Sequence, residues 1–179
     1  IDAIKGDSVI VLHTMGSHGP AYYQRYPDSF KRFTPTCDSN EIQNCSREQL
    51  VNTYNNTVVY IDHMLAQTIK LLQSKTNVDT ALLYLSDHGE SLGEKNLYLH
   101  GAPYMIAPSQ QTHIPMIFWQ SPGFAQAQGL DAACLRQQAQ QQAYSHDNLF
   151  HSMLGINGVS TSEYQPELDL FAACRSSKS

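Results

Sequence analysis

No stretch of this chain is apolar for long enough to cross a bilayer as a helix. Its longest apolar runs, Ala81–Leu85 and Leu170–Cys174, fall far short of the roughly 18–20 residues such a span needs. Basic charge is scarce too. Lys and Arg total 11 against 16 Asp and Glu, for a formal charge of −5, whereas a nucleic-acid partner demands a clustered basic face. Attraction to an anionic ligand must therefore come from local basic groups or a metal, not from net charge. Cysteine is limited to four residues. Cys37 and Cys45 flank a polar segment with Pro35 just before it, a spacing that fits a small disulfide-closed loop and lacks the short gaps of structural zinc motifs. Four cysteines leave three pairings open, with free buried thiols as the alternative to any of them. What remains suffices for a normal core, since 41% of the 179 residues are apolar.

Local patterns predict a strand over 8–13 around Val9-Ile10-Val11-Leu12, then a long loop region over 14–45 rich in Tyr, Pro and polar residues. The clearest helix runs from Ser46 to Ser74. Ser46-Arg47-Glu48-Gln49 has capping-box form. Leu50, Tyr54, Val58, Ile61, Leu65, Ile69 and Leu72 recur at three- or four-residue steps and predict an apolar stripe against a sheet. Asn77-Val78-Asp79 then turns the chain into a strand over 81–86. The strand–helix–strand order predicts an α/β fold with a largely parallel sheet flanked by helices.

A third strand is expected over Thr112–Trp119, with Pro115 near its start marking an edge strand or a first-residue position. Residues 120–131 read as loop, and the Gln-rich segment Leu135 to Ala143 as an exposed helix. Ser145 is expected to cap a helix from His146 to Leu154 that Gly155 ends. His146 and His151 then fall at the surface or in a first turn, His63 on an exposed helix face, and His13 packed inside the first strand.

The chemistry concentrates after residue 85, in Ser86-Asp87-His88-Gly89-Glu90-Ser91-Leu92-Gly93-Glu94. In α/β sheets, ligands gather at the carboxyl ends of strands. Asp87 offers a hard oxygen and His88 a borderline nitrogen, a pair suited to Zn²⁺. Beyond a loop containing Gly93, Lys95 and Asn96, His100 can return to the same strand end. His18 follows the 8–13 segment between Gly16 and Gly19, which permit close backbone approach. Three imidazoles converging with a carboxylate favour a metal or phosphate site over a scatter of surface histidines.

These strings, with Gly16-Ser17-His18-Gly19-Pro20-Ala21-Tyr22-Tyr23, Arg25-Tyr26-Pro27 and Tyr98-Leu99-His100-Gly101, resemble the phosphoethanolamine transferases that modify lipid A. That family includes the polymyxin-resistance enzymes of Gram-negative bacteria and lies within the alkaline-phosphatase/sulfatase superfamily. The resemblance continues through Cys134-Leu135 and Ser145-His146-Asp147-Asn148-Leu149-Phe150-His151. It implies a sulfatase-like domain of which residues 1–179 form the C-terminal portion. The membrane domain and the nucleophile-bearing half would lie outside this chain.

The resemblance also implies the roles. Asp87 and His88 bind zinc together with an upstream Glu and the Thr nucleophile, neither of which maps onto a residue here; Thr14 and Ser86 are not that nucleophile. His18 and His100 hold phosphate or a second zinc, so the site takes one ion or two. Glu90 either contacts substrate or hydrogen-bonds behind the site. Cys37 pairs with Cys45 and Cys134 with Cys174, which points to an oxidising compartment. The implied enzyme is a monomeric periplasmic domain of a bacterial inner-membrane protein. It moves phosphoethanolamine from phosphatidylethanolamine to a lipid A phosphate through a threonine-bound intermediate. This chain alone is then expected to be inactive. The rival readings are a phosphoglycerol transferase, a sulfatase-type hydrolase, or a non-catalytic zinc-binding module.

Overall fold

In the computed structural model, which describes Ile1 and residues 3–176, the capping box forms as the sequence predicts. Gln49 N donates to Ser46 Oγ over 3.2 Å, and Ser46 N donates to Gln49 Oε1 over 2.8 Å. Helix α1 comes next, over Arg47–Gln73. Its most buried face, however, is not the apolar stripe. Leu50 is buried, but beside it lie Thr53, Asn56 and Thr57, each 0% exposed, while Val58 is 46% exposed.

The polar face exists because residues 14–45 form no strand or α-helix, only 3-10 turns at Tyr22–Gln24, Asp28–Phe30 and Ile42–Asn44. Backbone groups outside regular structure need other partners. Asn56 Oδ1 accepts from Arg32 N and Phe33 N, both at 2.8 Å, and Asn56 Nδ2 donates to Phe33 O at 3.0 Å. Thr53 Oγ1 accepts from Cys37 N at 2.7 Å, and Thr57 Oγ1, whose proton goes to Tyr54 O, accepts from Ser17 Oγ at 2.6 Å. Around them Tyr22, Cys37, Ile42, Leu50 and Leu92 form a core, and the Cys37–Cys45 disulfide closes the loop over it.

The chain divides into two compact units, Ile1–Ala66 with His88–His113, and Gln67–Asp87 with Ile114–Ser179. In the first, β2 (Ser91–Leu92) and β3 (Tyr98–Leu99) form an antiparallel hairpin. In the second, β1 (Ala81–Leu85) pairs antiparallel with β4 (Met116–Gln120), Ala81 opposite Gln120 and Leu85 opposite Met116. Two sequence expectations are corrected by this. Residues 8–13 join no ladder, and Val9, Ile10, Val11 and Leu12 are 56%, 57%, 83% and 72% exposed. His13 is exposed with them and not packed. The largely parallel sheet is likewise absent among the described residues, where both ladders are antiparallel. An apolar run becomes a strand only by pairing, and periodicity names no partner.

Short helix α2 (Ser109–Thr112) occupies the start of the segment expected to be strand, so β4 begins after Pro115. Residues 120–131 also differ from expectation: α3 spans Pro122–Gln128. The same residues that suggest turn punctuation here start and stop a helix. Ser121 caps it, accepting from Phe124 N at 3.2 Å, Pro122 takes the first turn, and Gly129 ends it at φ 64°. The Gln-rich helix is α4, Ala132–Gln141, capped by Asp131. Helix α5 covers Asp147–Ile156, with Ser145 Oγ accepting from Asp147 N. Gly155 sits inside α5 rather than ending it, since a Cβ there would run into the Asp169 carboxylate. His151 is buried, its Nδ1 accepting from Gln165 N at 3.1 Å, which corrects its surface placement. Leu130, Leu170 and Phe171 form the core of this unit, spanned by the Cys134–Cys174 disulfide.

Candidate metal centre

The β2–β3 hairpin folds the chain back after Glu90. Gly93, Lys95 and Asn96 adopt positive φ of 112°, 53° and 61°, and Gly93 N donates to Leu97 O. His100 thereby returns to His88, their rings stacked at 3.8 Å between centroids. From the loop following residue 13, His18 completes the group, 4.8 Å from the His100 ring and 5.6 Å from that of His88. Leu99 takes φ 62°, unusual for a bulky residue, immediately before His100. Gly19 explains how the loop comes so close. A Cβ there would stand 2.5 Å from Leu99 Cδ2 and 2.6 Å from the Tyr22 hydroxyl.

Each ring presents the same edge to the protein. Carbonyl and carboxylate oxygens only accept, so the ring nitrogens facing them carry the proton. His18 Nδ1 donates to Gly19 O at 2.7 Å, His88 Nδ1 to Gly89 O at 3.0 Å, and His100 Nδ1 to Glu90 Oε1 at 3.0 Å. That tautomer puts the lone pair on Nε2, the arrangement seen in metal-ligating histidines. Ligand-capable atoms of His18, His88, Glu90 and His100 lie within 4.8 Å of one another. Nitrogen donors at about 2.0–2.1 Å from a tetrahedral zinc stand about 3.4 Å apart, so the three rings would have to draw together by up to about 1.4 Å to share one ion. The donor set fits a metal ion.

Glu90 works from behind the rings. It is 7% exposed, and its Oε2 accepts from the Tyr22 hydroxyl at 2.6 Å. Oε1 accepts from His100 and, at 3.4 Å, from Gly19 N. Both oxygens are thus committed to protein donors, which ties His100 to the His18 loop. Burial, and then Glu90, raise the Tyr22 phenol far above its ordinary value, so it stays a proton donor to the carboxylate. Gly89 N donates to Gln111 O at 3.0 Å, and a Cβ on Gly89 would collide with the Gln110 carbonyl.

Residues 1–159 match the sulfatase family. The chain belongs to that family. It is 58% identical to the phosphoethanolamine transferase EptA of Salmonella typhimurium over 176 residues, which are 98% of this chain and 32% of that protein. The chain thus spans about a third of the length of such curated relatives. The soluble domain of lipooligosaccharide phosphoethanolamine transferase A from Neisseria meningitidis superposes with a TM-score of 0.95 at 50% identity, covering 98% of this chain and 53% of that one. The integral membrane form of that meningococcal protein superposes at 0.94, again 50% identical, with 97% of this chain and 33% of that chain covered. The fold is therefore the alkaline-phosphatase/sulfatase type, as the resemblance implied.

Within this sulfatase-family chain, His18, His88, His100 and Glu90 come together in the first unit. Asp87 is exposed, belongs to the second unit at the end of β1, and is not one of the four clustered residues. Its charge, after burial, helps raise the Tyr84 phenol. His146 stands at the N-cap of α5 and donates from Nε2 to Ser86 O at 3.0 Å. His63 is exposed on α1 with its ring 4.8 Å from that of Phe30. Sequence reasoning misses Tyr22 and Gln111 as supports of the site. Tyr22 lies inside a family string without a role of its own, and Gln111, one of a Gln pair, carries no pattern signal.

Proposed function

We propose that this chain is the metal- and phosphate-holding part of a zinc-dependent transferase that moves phosphoethanolamine from phosphatidylethanolamine to a lipid A phosphate. The observation that carries the reading is the convergence of three imidazoles whose Nδ1 protons are all held by protein oxygens. The names of the Salmonella and meningococcal relatives supply the group transferred and, for the latter, a lipooligosaccharide acceptor. The two disulfides fit an oxidising compartment, and the meningococcal membrane form fits a periplasmic domain tethered to the inner membrane.

His88 and Asp87 would serve as ligands of one zinc ion, completed by the Glu and the Thr nucleophile that the family resemblance places outside these residues. His18 and His100 face the phosphate or a second ion. A bound zinc supplies Lewis acidity toward phosphoryl oxygens and lowers the barrier to ionising the nucleophile. The protein's own part is orientation: Glu90 and the Gly19 and Gly89 carbonyls hold the rings, and Tyr22 holds Glu90. Ethanolamine added to lipid A brings a positive charge, which weakens cationic polymyxin binding by simple electrostatics. The enzyme acts as a monomer on two membrane lipids.

Transfer to lipid A by a longer chain that carries the threonine, read by mass spectrometry, tests this. Asp87→Ala and His88→Ala each abolish the product, since loss of one ligand of four opens the metal shell. Wild-type modification in either variant would overturn the ligand assignment. Residues 1–179 alone yield no product.

A further inference from the structure

Just past the third imidazole, three consecutive large apolar side chains stand in solvent. Tyr104, Met105 and Ile106 are 86%, 98% and 58% exposed, in the same unit as His100. Single exposed apolar residues are ordinary, whereas a contiguous group marks a contact.

The turn that presents them is braced at its two ends. Ile106 N and Ala107 N both donate to Pro103 O at 2.9 Å, and Ala102 N donates to Gln111 Oε1 at 3.2 Å. Gln111 is 7% exposed and is itself fixed, its Nε2 donating to Ser91 Oγ at 2.9 Å and its carbonyl accepting from Gly89 N. Pro103 and Pro108 bring no N–H of their own. Tyr104 has the ring-and-hydroxyl character favoured where apolar and aqueous phases meet.

Charge selects the occupant. No Asp, Glu, Lys or Arg occurs from Asn96 through His113, the stretch of the same unit that carries the turn. A protein partner is normally met with a polar, charged rim around the apolar contact, while a lipid phase penalises charge of either sign. We propose that the Tyr104–Met105–Ile106 turn is a lipid-contact element that enters the apolar edge of a bilayer. A lipid headgroup could then reach the histidine cluster while its acyl chains stay in the membrane. The proposal rests on the lipid-substrate reading above.

Flotation of residues 1–179 with vesicles tests it, using phosphatidylcholine alone in one arm and added phosphatidylethanolamine in the other. The chain floats with both. A combined Tyr104→Ser, Met105→Ser, Ile106→Ser variant lowers the bound fraction about tenfold or more, with its thermal midpoint unchanged. Val9→Ser with Val11→Ser, which trims another exposed apolar patch, leaves binding intact. In a Met105→Trp variant, emission shifts to the blue on vesicles and is quenched by brominated acyl chains.

The proposal is overturned if the wild-type chain stays unbound, if the serine variant floats equally well, or if trimming Val9 and Val11 reduces binding as much. It also fails if the serine variant abolishes self-association of the chain and not lipid binding, which would make a second copy the occupant. The phosphatidylcholine arm separates the two readings. Loop-dependent binding there, with no phosphoethanolamine transfer by the longer chain, keeps the lipid contact and removes the transferase. Transfer without loop-dependent binding does the reverse.

Discussion

Glu90 Oε1 accepts from His100 and Gly19 while Oε2 accepts from Tyr22, so one carboxylate sets the tautomer of a ring and the position of a loop. Glu90→Leu keeps most of the bulk but removes both acceptor oxygens. Zinc affinity of the chain, read by chelator competition, is expected to fall about 10–100-fold. Nitrogen NMR should show His100 losing its Nδ1–H form; an unchanged tautomer and affinity would remove Glu90 from this role. Gly19→Ala forces a Cβ into Leu99 and Tyr22, and overpacking of this kind costs about 1–3 kcal/mol by thermal denaturation. Residue types and spacing marked the three histidines and Glu90 as candidates. They could not single out Tyr22 among ten tyrosines, because its partner lies 68 positions away in the chain.

On α1, cap and length were legible while the buried face was not. Ser46 and Gln49 bond within one turn, so their pattern is local. Asn56 answers instead to Arg32 and Phe33, which lack ladder partners. Asn56→Ala leaves their amides unpaired, at about 1–3 kcal/mol, and proteolysis should quicken around residues 30–37. Val58→Ser, on the predicted apolar stripe but exposed, should change the unfolding free energy by about 0.5 kcal/mol or less. Equal effects from the two substitutions would refute the polar-clamp account. Helix α3 shows the complementary case. Ser121-Pro122-Gly123 can start a helix or punctuate a turn, and the outcome depends on whether the next residues find packing as a helix.

For the whole chain, the two disulfides close loops of very different size. They join residues separated by 8 and by 40 positions. Loop-closure entropy assigns about 4 kcal/mol to Cys134–Cys174 and about 2.5 kcal/mol to Cys37–Cys45. Denaturant unfolding of the paired Cys→Ser variants should rank them in that order. The C-terminal unit also carries an alkaline sensitivity. Burial, then the hydrogen bond to Asp169, raise the Tyr164 phenol above its ordinary 10.0. Above pH 10 the unfolded phenol loses its proton while the folded one keeps it. The unfolded state then binds fewer protons, and stability declines as pH rises. Tyr164→Phe should flatten that decline in urea midpoints taken from pH 9 to 11, and an identical slope would exclude Tyr164 as its source.

By itself, the sequence determined what local chemistry can specify: the α1 cap, the strand before Asp87, the candidate histidines, and the family through long strings of residues. The tertiary structure alone decided that β1 runs antiparallel to β4, that residues 8–13 pair with nothing described, that Tyr22 braces Glu90, and that Tyr104–Ile106 stands in solvent. The reason is range. Caps and periodicities act over a few residues, whereas strand partners, buried hydrogen bonds and exposure depend on segments far apart in the chain.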